Sequence, residues 1–470
     1  MSNLVKLLSR RTVVVLNSKQ SRKMASNSKE AVVAVGQMRA TSDKSQNMQQ
    51  VKELVSRARA QEAKMLFLPE CCDYVGESRP QTLELAEPLT GPTMSKYREL
   101  ARSNKLWLSL GGVHELTGDN SSECKIYNAH VMINDQGEVA AIYRKMHLFD
   151  AETKDFRLRE SDTVAAGKSL ERPVSTPAGE VGLQICYDLR FAEPALILRK
   201  LGAQLLTYPA AFTYATGKAH WEILLRARAI ETQCFVVAAA QQGWHNKKRQ
   251  SWGHGMIINP WGKVLADCGG EQELAVATAT IDLGSLESLY QSMPCFEHRR
   301  NDIYSLTAYN LPTATTDGSS CEDRMFAGNK VDMRTIFYES EHCFAFTNLR
   351  CVVQGHVLVS TKRITPRLNG LNCAEMTDLF ATVCMVQRLL EKRYNTTSAT
   401  VTVQDGADAG QTVPHVHFHV MPRRTGDFGH NDQIYVKLEE RTENMPPRTL
   451  DERIDEAQMY RDMLRSSNNY

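Results

Sequence analysis

The chain has 470 residues, 42% hydrophobic and 23% charged, with a formal net charge of +2. That length predicts two or three domains, each able to bury its own core. The near-neutral balance argues against nucleic acid or an anionic membrane as a main partner, and no apolar run reaches the roughly 18 residues that span a bilayer. Residues 1–29 contain Lys, Arg and Ser but no acidic residue before Glu30. Such a composition is compatible with a mitochondrial presequence. The alternative is a disordered start bypassed by initiation at Met24. Either way the segment stands apart from the fold.

From residue 30 to 312, short apolar runs alternate with helical patterns such as Ser45 to Lys64 and Ala219 to Thr232. The pattern predicts a mixed α/β domain. Three runs end in chemically capable residues: Met65-Leu-Phe-Leu-Pro-Glu70, Ala141-Ile-Tyr-Arg-Lys145 and Val181-Gly-Leu-Gln-Ile-Cys186. Each has an ordinary reading alone: a loop carboxylate, a solvated lysine, a small buried hydrophobe. Together they form a coherent set. A thiol attacks as thiolate and needs a base and a nearby cation. Glu70 supplies the base, and Lys145 favours the anion and stabilises a tetrahedral oxyanion.

These segments, with Phe156-Arg-Leu-Arg-Glu160-Ser, Tyr208-Pro-Ala-Ala-Phe, His220-Trp-Glu222 leading to Arg226-Ala-Arg228, and Asn259-Pro-Trp-Gly, resemble the carbon–nitrogen hydrolase (nitrilase) superfamily. The resemblance implies a four-layer α-β-β-α sandwich. It implies that Cys186 forms a thioester with an amide and releases ammonia, with Glu70 as general base. Lys145 and the backbone N–H of Tyr187 would be oxyanion donors, and Glu160 would position Lys145 and the amide. The most similar branch implies deaminated glutathione, an ω-amide, as substrate. Cys71-Cys72 departs from the expected pattern and could make the pocket redox-sensitive without touching the catalytic set.

Thr313-Ala-Thr-Thr-Asp-Gly-Ser-Ser320 is polar and aperiodic, so residues 313–326 read as a linker to a second domain over 327–470. There, Met376, Leu379, Phe380, Val383, Val386 and Leu390 lie on one helical face between Glu375 and Tyr394. That helix should cover a sheet. Next comes His415-Val-His417-Phe-His419-Val, where period-two alternation predicts a strand with three imidazoles on one face. At ~3.3 Å per residue the outer two are about 13 Å apart. That is too far to converge on one metal ion and suits a row of groups along a phosphate chain. Gln404-Asp-Gly and Gly410-Gln-Thr412 add a turn and amide donors for phosphate oxygens. A terminal helix is expected from Glu452 to Arg465, after the Met445-Pro-Pro break.

The His-φ-His-φ-His-φ-φ motif, with those flanks, Phe344-Ala-Phe-Thr-Asn348, Val353-Gln-Gly-His356, Gly426-Asp-Phe and Asn431-Asp-Gln-Ile-Tyr435, is similar to the Fhit branch of the histidine-triad family. By resemblance His417 attacks an α-phosphorus and carries a nucleotidyl group, and His356 orients that imidazole. His415 and His419 donate to phosphate oxygens. Gln404 binds the leaving-group oxygen and positions water, Asn348 contacts a ribose, and Gln411 joins the substrate-binding set. The implied substrate is diadenosine triphosphate, cleaved to AMP and ADP, with a divalent cation (Mg or Mn) on its phosphates. No organic cofactor and no protein-bound metal are implied. Tyr435 would sit in an exposed loop, as a regulatory candidate or an ordinary loop tyrosine.

The order of the two domains resembles the nitrilase–Fhit fusions of invertebrate animals and implies an α+β chain whose smaller second domain has an antiparallel sheet. It also implies a homotetramer with the Fhit-like units as outlying pairs. Twelve cysteines without a Cys-x-x-Cys spacing read as free thiols in a reducing compartment. A cytoplasmic location is expected, with mitochondrial targeting as the alternative. Two functions stay open: a bifunctional hydrolase, or a nucleotide-binding signalling module on a nitrilase-like oligomeric scaffold.

Overall fold

A computed structural model of the chain describes residues 30–116, 125–152, 157–300, 303, 304, 306, 308, 324–439 and 446–466. The N-terminal segment 1–29, linker residues 313–323 and Phe156 lie outside the described residues.

The first domain is built on two sheets. The larger runs Gln250–Trp252, Ala240–Trp244, Glu30–Met38, Met65–Leu68, Trp107–Leu116, Ile126–Ile133, Val139–Arg144, with Ala275–Asp282 also paired to Glu30–Met38. The second runs Val264–Asp267, Met256–Ile258, Phe235–Ala238, Leu205–Thr207, Gly179–Leu183, Val174–Thr176. Alternation along the strands explains the layering. Val33, Val35, Met65 and Phe67 share one core with Val181, Leu183, Leu205 and Val236 of the second sheet. Their neighbours Ala34, Leu66 and Leu68 turn outward into another core with Val51, Leu54, Met94 and Tyr97 of the helices Lys44–Ala60 and Pro92–Asn104. Leu198, Trp221 and Leu225 bring the helices Ala192–Lys200 and Tyr214–Thr232 onto the first of these cores. The result is the α-β-β-α sandwich. Strands covered on both faces read as unbroken apolar runs, which is why periodicity alone indicated only mixed α/β.

The predicted Ser45–Lys64 helix is Lys44–Ala60, capped by Asp43, whose carboxylate accepts from the Ser45 and Gln46 N–H groups. The chain beyond it is drawn into the sheet by a 2.8 Å bond from Lys64 N–H to the Val32 carbonyl.

The second domain carries an antiparallel sheet ordered Ile336–Glu339, Cys343–Thr347, Val357–Thr361, His417–Arg423, Ser398–Val403. The helix Cys373–Tyr394 begins at a reciprocal cap between Asn372 and Glu375 and buries Leu379, Val383, Val386 and Leu390 on one sheet face. Phe380, expected in that stripe, is half exposed and meets Phe418 edge-on. The last helix, Leu450–Ser466, adds Ala457 and Tyr460 to the same core. A hairpin, Arg324–Phe326 with Asn329–Val331, closes on the other face, so three residues read as linker belong to this fold. All ten described cysteines are free thiols. Among the described residues, no helix is long and apolar enough to cross a membrane.

Candidate active sites

In the first domain the ends of strands from both sheets converge. Glu70 follows Met65–Leu68 and Lys145 follows Val139–Arg144 in one sheet, while Cys186 follows Gly179–Leu183 in the other. Lys145 Nζ lies 2.9 Å from Glu70 Oε1, and 3.0 and 2.8 Å from the two oxygens of Glu160. Glu70 is held at both oxygens: Asn128 Nδ2 donates to Oε1 at 2.9 Å, and the Ala211 N–H donates to Oε2 at 2.9 Å. The Cys186 thiol lies near enough to Glu70 to favour its charged form. Glu160 is fixed by the Phe149 N–H at 2.7 Å.

Burial sets the protonation states and charge partners correct them. Burial would raise the Glu70 carboxyl, but Lys145 and the Cys186 thiol hold it well below the usual carboxylate range. Burial likewise opposes the charge on Lys145, and Glu160 and Glu70 overcome it, keeping its pKa above the ordinary lysine value. For the Cys186 thiol, burial and then the Glu70 charge both push the pKa up. The resting site is therefore a thiol near a carboxylate that shares an ammonium with a second carboxylate.

Cys186 has φ 45°, in the left-handed region, and opens the short 3-10 helix Cys186–Arg190. A 2.9 Å bond from its N–H to the Pro209 carbonyl holds this elbow. Tyr187 N–H belongs to the first turn, where a helix leaves donors without an internal partner. Asp188 fastens the elbow from beneath. It is fully buried and accepts from Ile185 N–H (2.9 Å), Tyr143 OH (2.7 Å) and His147 Nδ1 (2.7 Å). Sequence reasoning missed Asp188 and Asn128. The available signals were an acid beside the nucleophile for the first and none for the second. Cys71 and Cys72 are buried, and Cys71 Sγ is 4.0 Å from His114 Nε2. His114 Nδ1 lies 2.9 Å from Asp73, a brace on the loop that carries Glu70.

In the second domain His417 and His419 lie on the strand His417–Arg423, but His415 precedes it, so the strand does not hold all three as alternation predicted. His417 Nδ1 is 2.6 Å from the His415 carbonyl. A carbonyl only accepts, so Nδ1 carries the proton and Nε2 bears the lone pair. His356, expected to orient His417, instead places Nε2 3.0 Å from His419 Nδ1. The Asn348 amide nitrogen, 3.2 Å from His356 Nε2, is engaged there as well. His415 also departs from its expected role. Its Nδ1 accepts from the Ala327 N–H at 3.1 Å and its Nε2 meets the Thr361 hydroxyl at 3.2 Å. Both ring nitrogens are thus spent inside the domain and neither is left to donate to a phosphate. Burial lowers its pKa. Phe326, from the hairpin, stacks on His415 and sets its edge to His417, at ring distances of 5.4 and 5.1 Å.

The two glutamines separate. Gln411 accepts from the Gly406 N–H at 2.7 Å and donates to the Pro366 carbonyl at 2.8 Å, so its amide braces the loop rather than facing a ligand. Gln404 makes no side-chain hydrogen bond among the described residues. Gly410, at φ +79°, lets the loop lie against it: a Cβ there would come within 2.7 Å of Gln404 Nε2. Tyr435 is exposed but sits on the short helix Gln433–Glu439, not in a loop.

Known proteins carry the same two-part layout. The carbon-nitrogen hydrolase family profile matches residues 32–291 and the HIT domain profile matches residues 329–426. The nitrilase and fragile histidine triad fusion protein NitFhit of Drosophila melanogaster is 70% identical over 467 residues, covering 99% of each chain. The deaminated glutathione amidase of Homo sapiens is 50% identical over 281 residues, 60% of this chain and 85% of its own. The crystal structure of C. elegans NitFhit superposes with a TM-score of 0.82 at 45% identity, covering 94% of this chain and all of that one. With both catalytic layouts in one polypeptide and full-length likeness to these fusions, the chain belongs to the NitFhit family, a carbon–nitrogen hydrolase domain joined to a Fhit-type histidine-triad domain.

Proposed function

We propose that the chain is a bifunctional hydrolase. Its second domain cleaves diadenosine triphosphate to AMP and ADP through a nucleotidyl-histidine. Its first domain hydrolyses a small ω-amide such as deaminated glutathione. What carries this reading is that each nucleophile has its proton traffic built in: His417 by the 2.6 Å bond to the His415 carbonyl, Cys186 by the nearby Glu70 carboxylate, itself 2.9 Å from Lys145.

In the second domain His417 Nε2 attacks the α-phosphorus, the bond to the bridging oxygen breaks, and ADP leaves. Water then attacks the phosphoramidate and AMP leaves as the imidazole is restored. His419, steadied by His356, and Gln404 face the charge that develops on the phosphates. A divalent cation enters with the phosphates as part of the substrate. In the first domain Cys186 sulfur attacks the amide carbon while its proton passes to Glu70, and Lys145 stabilises the oxyanion. Glu70 returns the proton to the leaving nitrogen. A primary amide releases ammonia, whereas deaminated glutathione, whose amide nitrogen is substituted, releases a peptide amine. Water, deprotonated by Glu70, then cleaves the thioester.

The test compares the parent chain with Cys186→Ala and His417→Asn, following amine or ammonia release and AMP plus ADP formation. Each substitution should abolish one activity and spare the other. Dinucleotide binding without turnover in the parent would replace the hydrolase reading of the second domain with a signalling one. We also propose a cytoplasmic homotetramer, with the N-terminal segment as the route to any mitochondrial pool. A monomer mass by light scattering would overturn the assembly.

A further inference from the structure

We infer that Arg249 recognises a carboxylate on the amide substrate, so that the first domain selects anionic ω-amides over neutral ones; this rests on the amidase reading above. Arg249 lies in the turn joining Ala240–Trp244 to Gln250–Trp252 at the edge of the larger sheet. The turn is rigid. Arg249 N–H donates to Asn246 Oδ1 at 2.9 Å, and its carbonyl accepts from the His245 N–H at 2.9 Å. The buried His245 ring bridges the Ala40 carbonyl and the Ser251 hydroxyl, at 2.7 and 2.8 Å. Ser251 in turn pairs with Thr213, beyond the Ala211 whose N–H holds Glu70.

The side chain is partly buried and within Coulombic reach of Cys71, Glu70, Cys186 and Glu160. It is nonetheless unclaimed: among the described residues its guanidinium makes no hydrogen bond and no ion pair. Two other cations of the domain are taken. Arg144 grips both oxygens of Glu115 at 2.6 Å, and Lys145 already occupies Glu70 and Glu160. A planar fork of N–H donors, carried on the turn next to the segment that holds Glu70 and short of acceptors, matches a carboxylate in two-point contact. A phosphate dianion fits less well, because Glu70 and Glu160 repel the second charge.

The test uses glutaramate and its neutral analogue 5-hydroxypentanamide, which differ only in carboxylate against hydroxymethyl. Parent and Arg249→Met full-length chains are compared by kcat/KM on both. The parent should favour the acid, and Arg249→Met should lower the acid-to-neutral ratio about tenfold to a hundredfold. Arg249→Lys should restore part of it, because the charge returns without the fork. An unchanged ratio, or an equal fall on both substrates, overturns the role of Arg249 while leaving the amidase reading standing. Cleavage of neither amide by the parent overturns both.

Discussion

His356 Nε2 lies 3.0 Å from His419 Nδ1, so the histidine outside the triad is tied to the triad's last member. His417, the proposed nucleophile, is oriented by a backbone carbonyl, which no side-chain substitution removes.

Substitutions at these two positions should therefore differ in kind. His417→Asn removes the attacking nitrogen and should lower dinucleotide hydrolysis by on the order of 10⁴-fold or more. His356→Asn costs one hydrogen bond to His419, about tenfold in turnover. It should still trap a nucleotidyl-enzyme from labelled substrate. A His356→Asn chain as inactive as His417→Asn, with no trapped intermediate, would contradict the pairing.

The two loop glutamines should also separate. Gln404→Ala is expected to slow dinucleotide turnover with little change in the thermal midpoint, since that amide makes no hydrogen bond among the described residues. Gln411→Ala leaves the Gly406 N–H and the Pro366 carbonyl without their partner and should destabilise the second domain by about 1–3 kcal/mol. Urea unfolding with parallel kinetics would show whether the two effects part in this way.

Lys145→Met leaves the buried Glu70 and the partly buried Glu160 without the ammonium that pairs both. Breaking a buried pair on one side costs about 3–5 kcal/mol. The first domain should unfold at distinctly lower urea, and amide hydrolysis should vanish. An unaltered midpoint would mean that water already screens this network.

The Asp73–His114 brace makes stability depend on pH on the alkaline side. Burial alone would lower the imidazole, but Asp73 at 2.9 Å overrides it and pushes its pKa from 6.5 up to about 10. A group raised on folding contributes fully below its unfolded value and loses that contribution as pH rises through the folded one. The gap in urea midpoint between parent and His114→Gln should thus be constant below pH 6.5 and close as pH approaches about 10. A gap that instead widened with pH would reverse the assignment.

Much of this was legible in the chain because the groups that do chemistry sit at the ends of readable apolar runs. Glu70, Lys145, Cys186 and His417 are conspicuous for that reason. Their partners are not. The antiparallel register pairing Leu358 with His419 and Ser360 with His417 brings His356 to His419, and nothing in the local sequence states that register. His415 leaves the strand because Val416 N–H is taken by the Thr365 carbonyl from another loop. Gln404 and Gln411 look alike as amides, and only the fold of the loop between them, turned by glycines at φ +107° and +79°, gives them different work. Asn128 and Arg249 belong to no motif and became visible only through what surrounds them.

The Ala211 N–H that holds Glu70 comes from the segment after Leu205–Thr207, in the opposite sheet from the one that presents the carboxylate. Glu70, the proposed base, is therefore a rivet through the sandwich, and aligning it requires both sheets to stay in register. Amide hydrolysis becomes a gauge of that closure. A gentle parting of the two layers would silence the chemistry while leaving both sheets, and most of their spectroscopic signature, in place.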